Sequence, residues 1–288
     1  MSENRVLLGG LKTKNIVIRE FLSEFIGTLI LVLMCNCSIA VQVLSRRPHL
    51  DLNSVGIATG VGLMIAAYLG AKVSGGHVNP VVTLAVATLG KFPYRKIPHY
   101  FIAQYLGGFV ASILVYLNFY SAINEYDGGI RSAFFNSTST AGIMTTHPTL
   151  NLTPWGALCD QIISVALLQF GIMCLIDPKN QNVPKPLIPI AFSLLLAALI
   201  MAFGHNCGPA LNPARDIPGR IFAIIIGYGS DVWGPQSFVY WIIGGLIGPH
   251  IGAIIGAWIY YLLIELHLED DQQLERKEDV LLQKISEA

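Results

Sequence analysis

Two Asn-Pro pairs, Asn79-Pro80 and Asn212-Pro213, each open a short apolar stretch that runs to a glycine, Gly90 in one case and Gly227 in the other. Asparagine is a strong helix N-cap, its side-chain oxygen accepting a backbone N–H, and proline fits the first helical position, where no N–H is needed. Both pairs therefore read as helix starts. Helices running from Asn79 to about Leu89, or from Asn212 to about Ile226, are too short to cross ~30 Å of hydrocarbon at ~1.5 Å per residue. Yet they lie among six stretches that approach spanning length, at 21–44, 54–71, 98–120, 156–176, 187–205 and 238–264. Only 12% of the residues are charged and the mean hydropathy is +0.57, against ~25% charged in an ordinary soluble domain. Short, polar-led helices persist at membrane depth only where protein or a water-filled cavity surrounds the irregular backbone before them. The chain thus reads as an all-α membrane protein with six transmembrane helices and two re-entrant half-helices.

Each half has the same order: a span with an acidic or amide residue near its start, a second span, an Asn-Pro half-helix, and a glycine-rich third span. Glu24 precedes Asn79 by 55 positions and Gln161 precedes Asn212 by 51. Three spans per half is odd, so the second copy enters from the opposite side and the repeat is inverted. The expected organisation is an N-terminal segment 1–20, a channel domain 21–264 and a tail 265–288. Repeat one covers about 21–120 and repeat two about 156–264, joined by a loop 121–155. Basic residues concentrate on the side of the termini, including Arg5, Lys12, Lys14, Arg19, Lys91, Arg95 and Lys96. That bias places both termini in the cytoplasm and the 121–155 loop outside. The loop holds two matches to the N-glycosylation pattern, at Asn136 and Asn151; a third, Asn36-Cys37-Ser38, sits inside a span and is out of reach. The first twenty residues lack the apolar core of a cleaved signal, and the odd, mostly apolar-flanked cysteines predict no structural disulfide.

If the two half-helices meet end to end, both asparagines and both positive dipole ends face one small volume. The NH2 groups, free once the oxygens cap the helices, would donate to a neutral polar molecule that has lost part of its hydration, and cations would meet two positive ends. Arg215 follows Asn212 by three positions. An ionisable side chain at this depth is a site by default, and a guanidinium can grip two hydroxyls while repelling cations. The competing reading is a structural pair with the adjacent Asp216.

Ser74-Gly75-Gly76-His77-Val78-Asn79-Pro80 and Leu211-Asn212-Pro213-Ala214-Arg215-Asp216 resemble the two boxes of the aquaporin family, the major intrinsic proteins, and the resemblance extends from Glu24 to about Leu263. Asp216, Asp160-Gln161 and Gly227-Tyr228-Gly229 are similar to the animal aquaglyceroporin branch. The resemblance implies an aquaporin-like right-handed bundle in the plasma membrane. It also implies a homotetramer with one pore per protomer, and passage of glycerol, water and small neutral solutes such as urea. It makes Arg215 the filter arginine and places Thr59, Ile200 and Pro209 at the other filter positions, where the branch usually carries one or two aromatic rings. It gives Glu24 and Gln161 the task of accepting N–H groups from the loops before the half-helices. Val81 stands for the usual alanine beside Pro80, while the second motif keeps Pro213-Ala214; Gly245 stands for a common proline. His77 reads as a structural histidine bonding loop groups or, less favoured, as a cytoplasmic pH sensor. Two other functions fit an inverted repeat: an ion-coupled secondary transporter and a structural junction protein. No phosphate loop, zinc ligand set, nucleophile triad or basic nucleic-acid patch occurs in the sequence. The expectation is therefore a non-enzyme whose partners are solutes and membrane lipid, without nucleic acid, metal or cofactor.

Overall fold

The computed structural model describes residues 12–46, 51–208 and 210–268. Filter candidate Pro209, the basic residue Arg5 and the charged tail beyond residue 268 lie outside the described residues. Six helices are long and apolar enough to cross a membrane, and among the described residues there is no strand. The chain is an integral membrane protein.

Helix α1 (Ile16–Leu44) starts where Asn15 caps the amides of Val17 and Ile18, and α2 (Leu52–Gly70) where Asp51 caps Asn53 and Ser54. The first half-helix is α3 (Pro80–Thr88), capped by Asn79; it stops before Gly90, whose φ of 72° is left-handed. Helix α4 (Ile97–Asp127) ends at Gly128 with φ 66°. In the second half, Thr153 caps α5 (Pro154–Ile176), with Pro154 at the first position, and α6 (Ile188–Cys207) follows. The second half-helix, α7 (Pro213–Ala223), is capped by Asn212 and runs into a π-turn at Ile224–Tyr228 that Gly227 breaks at φ 103°. The last span starts at Tyr240–Ile242, passes through π-helical Ile243–Ile247 and continues as α8 (Gly248–Leu263).

Lipid tails are as apolar as leucine, so these helices associate through close packing of small residues rather than a hydrophobic gradient. The outward faces keep exposed side chains such as Leu117, Leu194 and Ile225. Inside, α4 lies on α1 and α8 on α5, and the two contacts match. A Cβ at Gly107 would lie 2.5 Å from the Phe25 carbonyl oxygen, and one at Gly252 would lie 2.5 Å from that of Ile162. Each half-helix packs on the third span of the other repeat. Gly108 of α4 leaves no room for a side chain against the Ala214 carbonyl of α7, and Trp258 of α8 donates to Thr88 Oγ1 of α3 at 3.1 Å.

Two boundaries differ from the sequence reading. Residues 121–127, assigned to the outer loop because hydropathy falls there, continue α4. Ile123 and Asp127 are buried, and Asp127 holds Arg131 Nη1 at 2.7 and 2.8 Å, folding that charge against the helix end. The N-terminal segment gives way to α1 at Ile16 rather than at 21, because Asn15 supplies a cap. All five cysteines are free.

Candidate functional site

The residues just before the caps are the most constrained in the backbone. Val78 (φ 45°) and Leu211 (φ 38°) are both left-handed, a conformation that is uncommon outside glycine and a marked outlier for a β-branched side chain. Each loop is held by a side chain from the first helix of its own repeat. Glu24 accepts the amides of His77 at 2.9 Å and Val78 at 2.7 Å, and Gln104 Nε2 donates to it at 2.8 Å. Gln161 accepts the Leu211 amide at 3.3 Å and donates to Asp160 at 2.8 Å.

This twist turns the Val78 and Leu211 carbonyls toward the opposite half. Asn79 Nδ2 donates to the Leu211 carbonyl at 3.0 Å, and Asn212 Nδ2 donates to that of Val78 at 2.9 Å. Their oxygens accept from Val81 at 3.1 Å and Ala214 at 2.9 Å. The sequence reading left both NH2 groups wholly free. The structure commits one N–H of each to the other repeat, which fixes the carboxamide plane and leaves the second N–H for a passing molecule.

Both asparagines line a cavity of about 60 Å³ together with His77, Thr59, Ile200 and Arg215, small enough to hold only a few water-sized molecules. Most of its remaining wall is aliphatic. A wider cavity of about 330 Å³ adjoins it, lined by His147, His205, Cys207 and again Arg215. Arg215 is thus the residue shared by the narrow and the wide parts. Its side chain is 3% exposed, and its Nε donates to Asn36 Oδ1 at 3.2 Å.

Asp216 does not hold it. That carboxylate accepts from Arg220 Nε at 2.7 Å, from the Thr146 amide at 2.6 Å and from Thr146 Oγ1 at 2.8 Å. Arg220, fully buried, also donates to the carbonyls of Val232 and Thr146. His77 bonds Thr83 Oγ1 through Nδ1 at 3.1 Å and packs on Phe92 and Tyr100. Pro80, Val81, Pro213 and Ala214 are buried at the half-helix starts. Asn136 and Asn151 are both exposed, and Thr153 of the second sequon is occupied in capping α5. Among residues that sequence reasoning missed, Asn36 and Gln104 carried a signal, each being an amide in an apolar run. Thr146 carried none, since it sits in a loop 70 positions from its partner Asp216.

The family model described as Major intrinsic protein matches residues 11–260. The chain belongs to the major intrinsic protein family. Among its relatives, Aquaporin-10 of Milnesium tardigradum is 40% identical over 259 residues, which is 86% of this chain and 63% of that protein's own length. Aquaporin-9 of Homo sapiens is 35% identical over 255 residues, covering 88% of this chain and 85% of the relative. The X-ray structure of the aquaglyceroporin from Plasmodium falciparum superposes with a TM-score of 0.75 at 26% identity, covering 87% of this chain and 98% of that one.

In this member of the major intrinsic protein family, two further side chains line the narrow cavity with Arg215. Thr59 and Ile200 flank the passage, both nearly fully buried. Thr59 gives its hydroxyl proton to the Val55 carbonyl at 2.7 Å, so it offers the passage a methyl group and an acceptor, and no donor.

Proposed function

We propose that this protein is a passive transmembrane channel for glycerol, water and small neutral solutes such as urea, and that it excludes protons and other ions. The observation that carries the reading is the crossed pair of asparagine carboxamides around a narrow cavity, with one guanidinium at its outer end. A molecule crossing the midplane accepts the remaining N–H of each asparagine in place of part of its hydration. A water held this way accepts from both sides, so its own hydrogens point toward the two exits and a continuous proton relay is broken. Cations meet two helix N-termini and the Arg215 charge. The aliphatic wall takes the carbon backbone of a polyol while Arg215 binds its hydroxyls. Thr59 and Ile200 in place of rings make the filter wide and its discrimination poor.

The same reading puts both termini in the cytoplasm, the 128–153 loop outside with Asn136 and Asn151 as sugar acceptors, and homotetramers in the plasma membrane with lipid around them. The names of the relatives, aquaporins and an aquaglyceroporin, support these solutes. Ion coupling would need a free protonatable group at the midplane, whereas both oxygens of Glu24 are engaged by N–H donors.

Stopped-flow light scattering on proteoliposomes, with water, glycerol and urea gradients, tests the reading. Linear, non-saturating flux is expected; flux that saturates or follows a pH gradient would mean a transporter, and no flux from folded tetramers would mean a junction protein. Asn79→Asp and Asn212→Asp keep the cap but replace a donor by a negative charge, so solute flux should fall and cation leak rise.

A further inference from the structure

Resting on the channel reading, we infer that Asn36 is the positioning residue of the filter: a neutral carboxamide that fixes the Arg215 guanidinium without bringing a counter-charge to it. Asn36 lies in the middle of α1, in an otherwise apolar run, and is fully buried. A polar group at that depth is costly and is kept where it has a partner that matters. Its recorded partner among the described residues is Arg215 Nε, reached from 179 positions away.

The surrounding charges make the choice of residue informative. The nearest carboxylate in sequence, Asp216, has its hydrogen bonds filled by Arg220 and Thr146, so it does not orient Arg215. Asn36 lines neither the narrow cavity nor the wider one, although Cys35 and Ile39 on the same helix do. It therefore acts on solutes through Arg215. An acceptor on the Nε side holds the plane of the guanidinium. A carboxylate in its place would hold the plane equally well and cancel the charge that turns cations away.

The experiment uses the full chain in proteoliposomes, read by sodium leak and by the glycerol-to-water flux ratio. Asn36→Asp keeps the acceptor and adds a charge beside Arg215, and sodium leak is expected to rise about tenfold or more. Asn36→Leu keeps the volume and the Arg215 charge but frees the guanidinium; sodium stays excluded and the glycerol-to-water ratio shifts at least about threefold. Gln169→Leu, a buried amide of α5 that lines neither cavity, controls for a merely structural effect and moves neither readout. Sodium exclusion kept in Asn36→Asp, with an unchanged ratio in Asn36→Leu, overturns the inference while leaving the channel intact. Absent water and glycerol flux in the wild type would sink the channel reading itself. Where Asn36→Asp fails to assemble, a cycle of Asn36→Leu with Arg215→Lys decides: non-additive ratios support the coupling, and additive ones refute it.

Discussion

The two loops that deliver the asparagines do one geometric job with different chemistry. The first is gripped by a carboxylate, Glu24, through two backbone amides and the Gln104 amide. The second has only the amide of Gln161 at 3.3 Å behind it. The half-helix that follows it is secured instead by the 128–153 loop, where Asp216 and Arg220 bind the backbone of Thr146. The second loop also leads into the half-helix that carries Arg215. Here the carboxylate stands one step back, Asp160 accepting from Gln161 at 2.8 Å, and the Asp216–Arg220 pair balances its own charges beside Arg215. A carboxylate thus binds the first loop's backbone directly and the second loop's through an intervening amide.

The severest way to break this contrast is to cut the second anchor. Asp216→Ala leaves Arg220 fully buried without a counter-charge, and losing one partner of a buried pair costs about 3–5 kcal/mol. The expected result is a large fall in the detergent thermal midpoint and in yield. The double variant Asp216→Leu with Arg220→Met removes both charges and should recover much of that loss. A double variant as damaged as the single one would show that the pair matters for more than charge balance.

The next test sets the two loop supports against each other. Glu24→Gln weakens two amide bonds to a charged acceptor, a loss of about 1.5–3 kcal/mol, and should lower the thermal midpoint with little change in ion leak. Gln161→Glu gives the Leu211 amide a charged acceptor but replaces the donor to Asp160 by a second carboxylate, so its signature is a lowered thermal midpoint that recovers in mild acid, where the two carboxylates share a proton. Identical behaviour of the two variants would erase the distinction.

Much of this asymmetry could not be read from the sequence. The half-helices were legible because Asn-Pro is a local signal, and the spans because hydropathy is. Glu24 and Gln161 stood out as polar residues in apolar runs. The Asp216–Arg220–Thr146 network joins a half-helix to a loop 70 residues away, and no periodicity announces such a contact. The same limit hid the end of α4, where Asp127 pairs with Arg131 in what reads as loop. Both errors have one cause: composition reports how polar a segment is, while burial depends on what the other repeat brings beside it.

A smaller effect tests the passage where the halves meet. Thr59→Phe would fill the wide side of the filter opposite Arg215 and should slow glycerol relative to water by about tenfold, ~1.4 kcal/mol of barrier. Light-scattering traces of the two solutes on the same vesicles give the ratio directly. Equal slowing of both would mean that Thr59 lines the passage without discriminating.

The smallest expected effect concerns the outer loop that anchors the second half. His147 follows Thr146, is partly buried against Phe134 and Phe135, and bonds the Pro148 carbonyl through Nδ1 at 3.3 Å. Burial pushes its pKa below the ordinary 6.5; the Pro148 carbonyl and Asp216 pull it upward, and the charges of Arg220 and Arg215 add to the downward shift. With the folded value below the unfolded one, the unfolded chain binds more protons in mild acid, and stability there rises with pH. The contribution is complete above about pH 6.5 and is lost as pH falls from there toward the folded value. Asn212 and Arg215 share a half-helix with the anchor on which this loop sits, so acid should loosen the second half before the first, whose Glu24 anchor bonds His77, Val78 and Gln104. Thermal midpoints of wild type and His147→Phe between pH 7.5 and 5 are the measurement, with convergence expected at neutral pH and a shallower acid decline in the variant. Parallel declines would mean that His147 plays no part in the acid response.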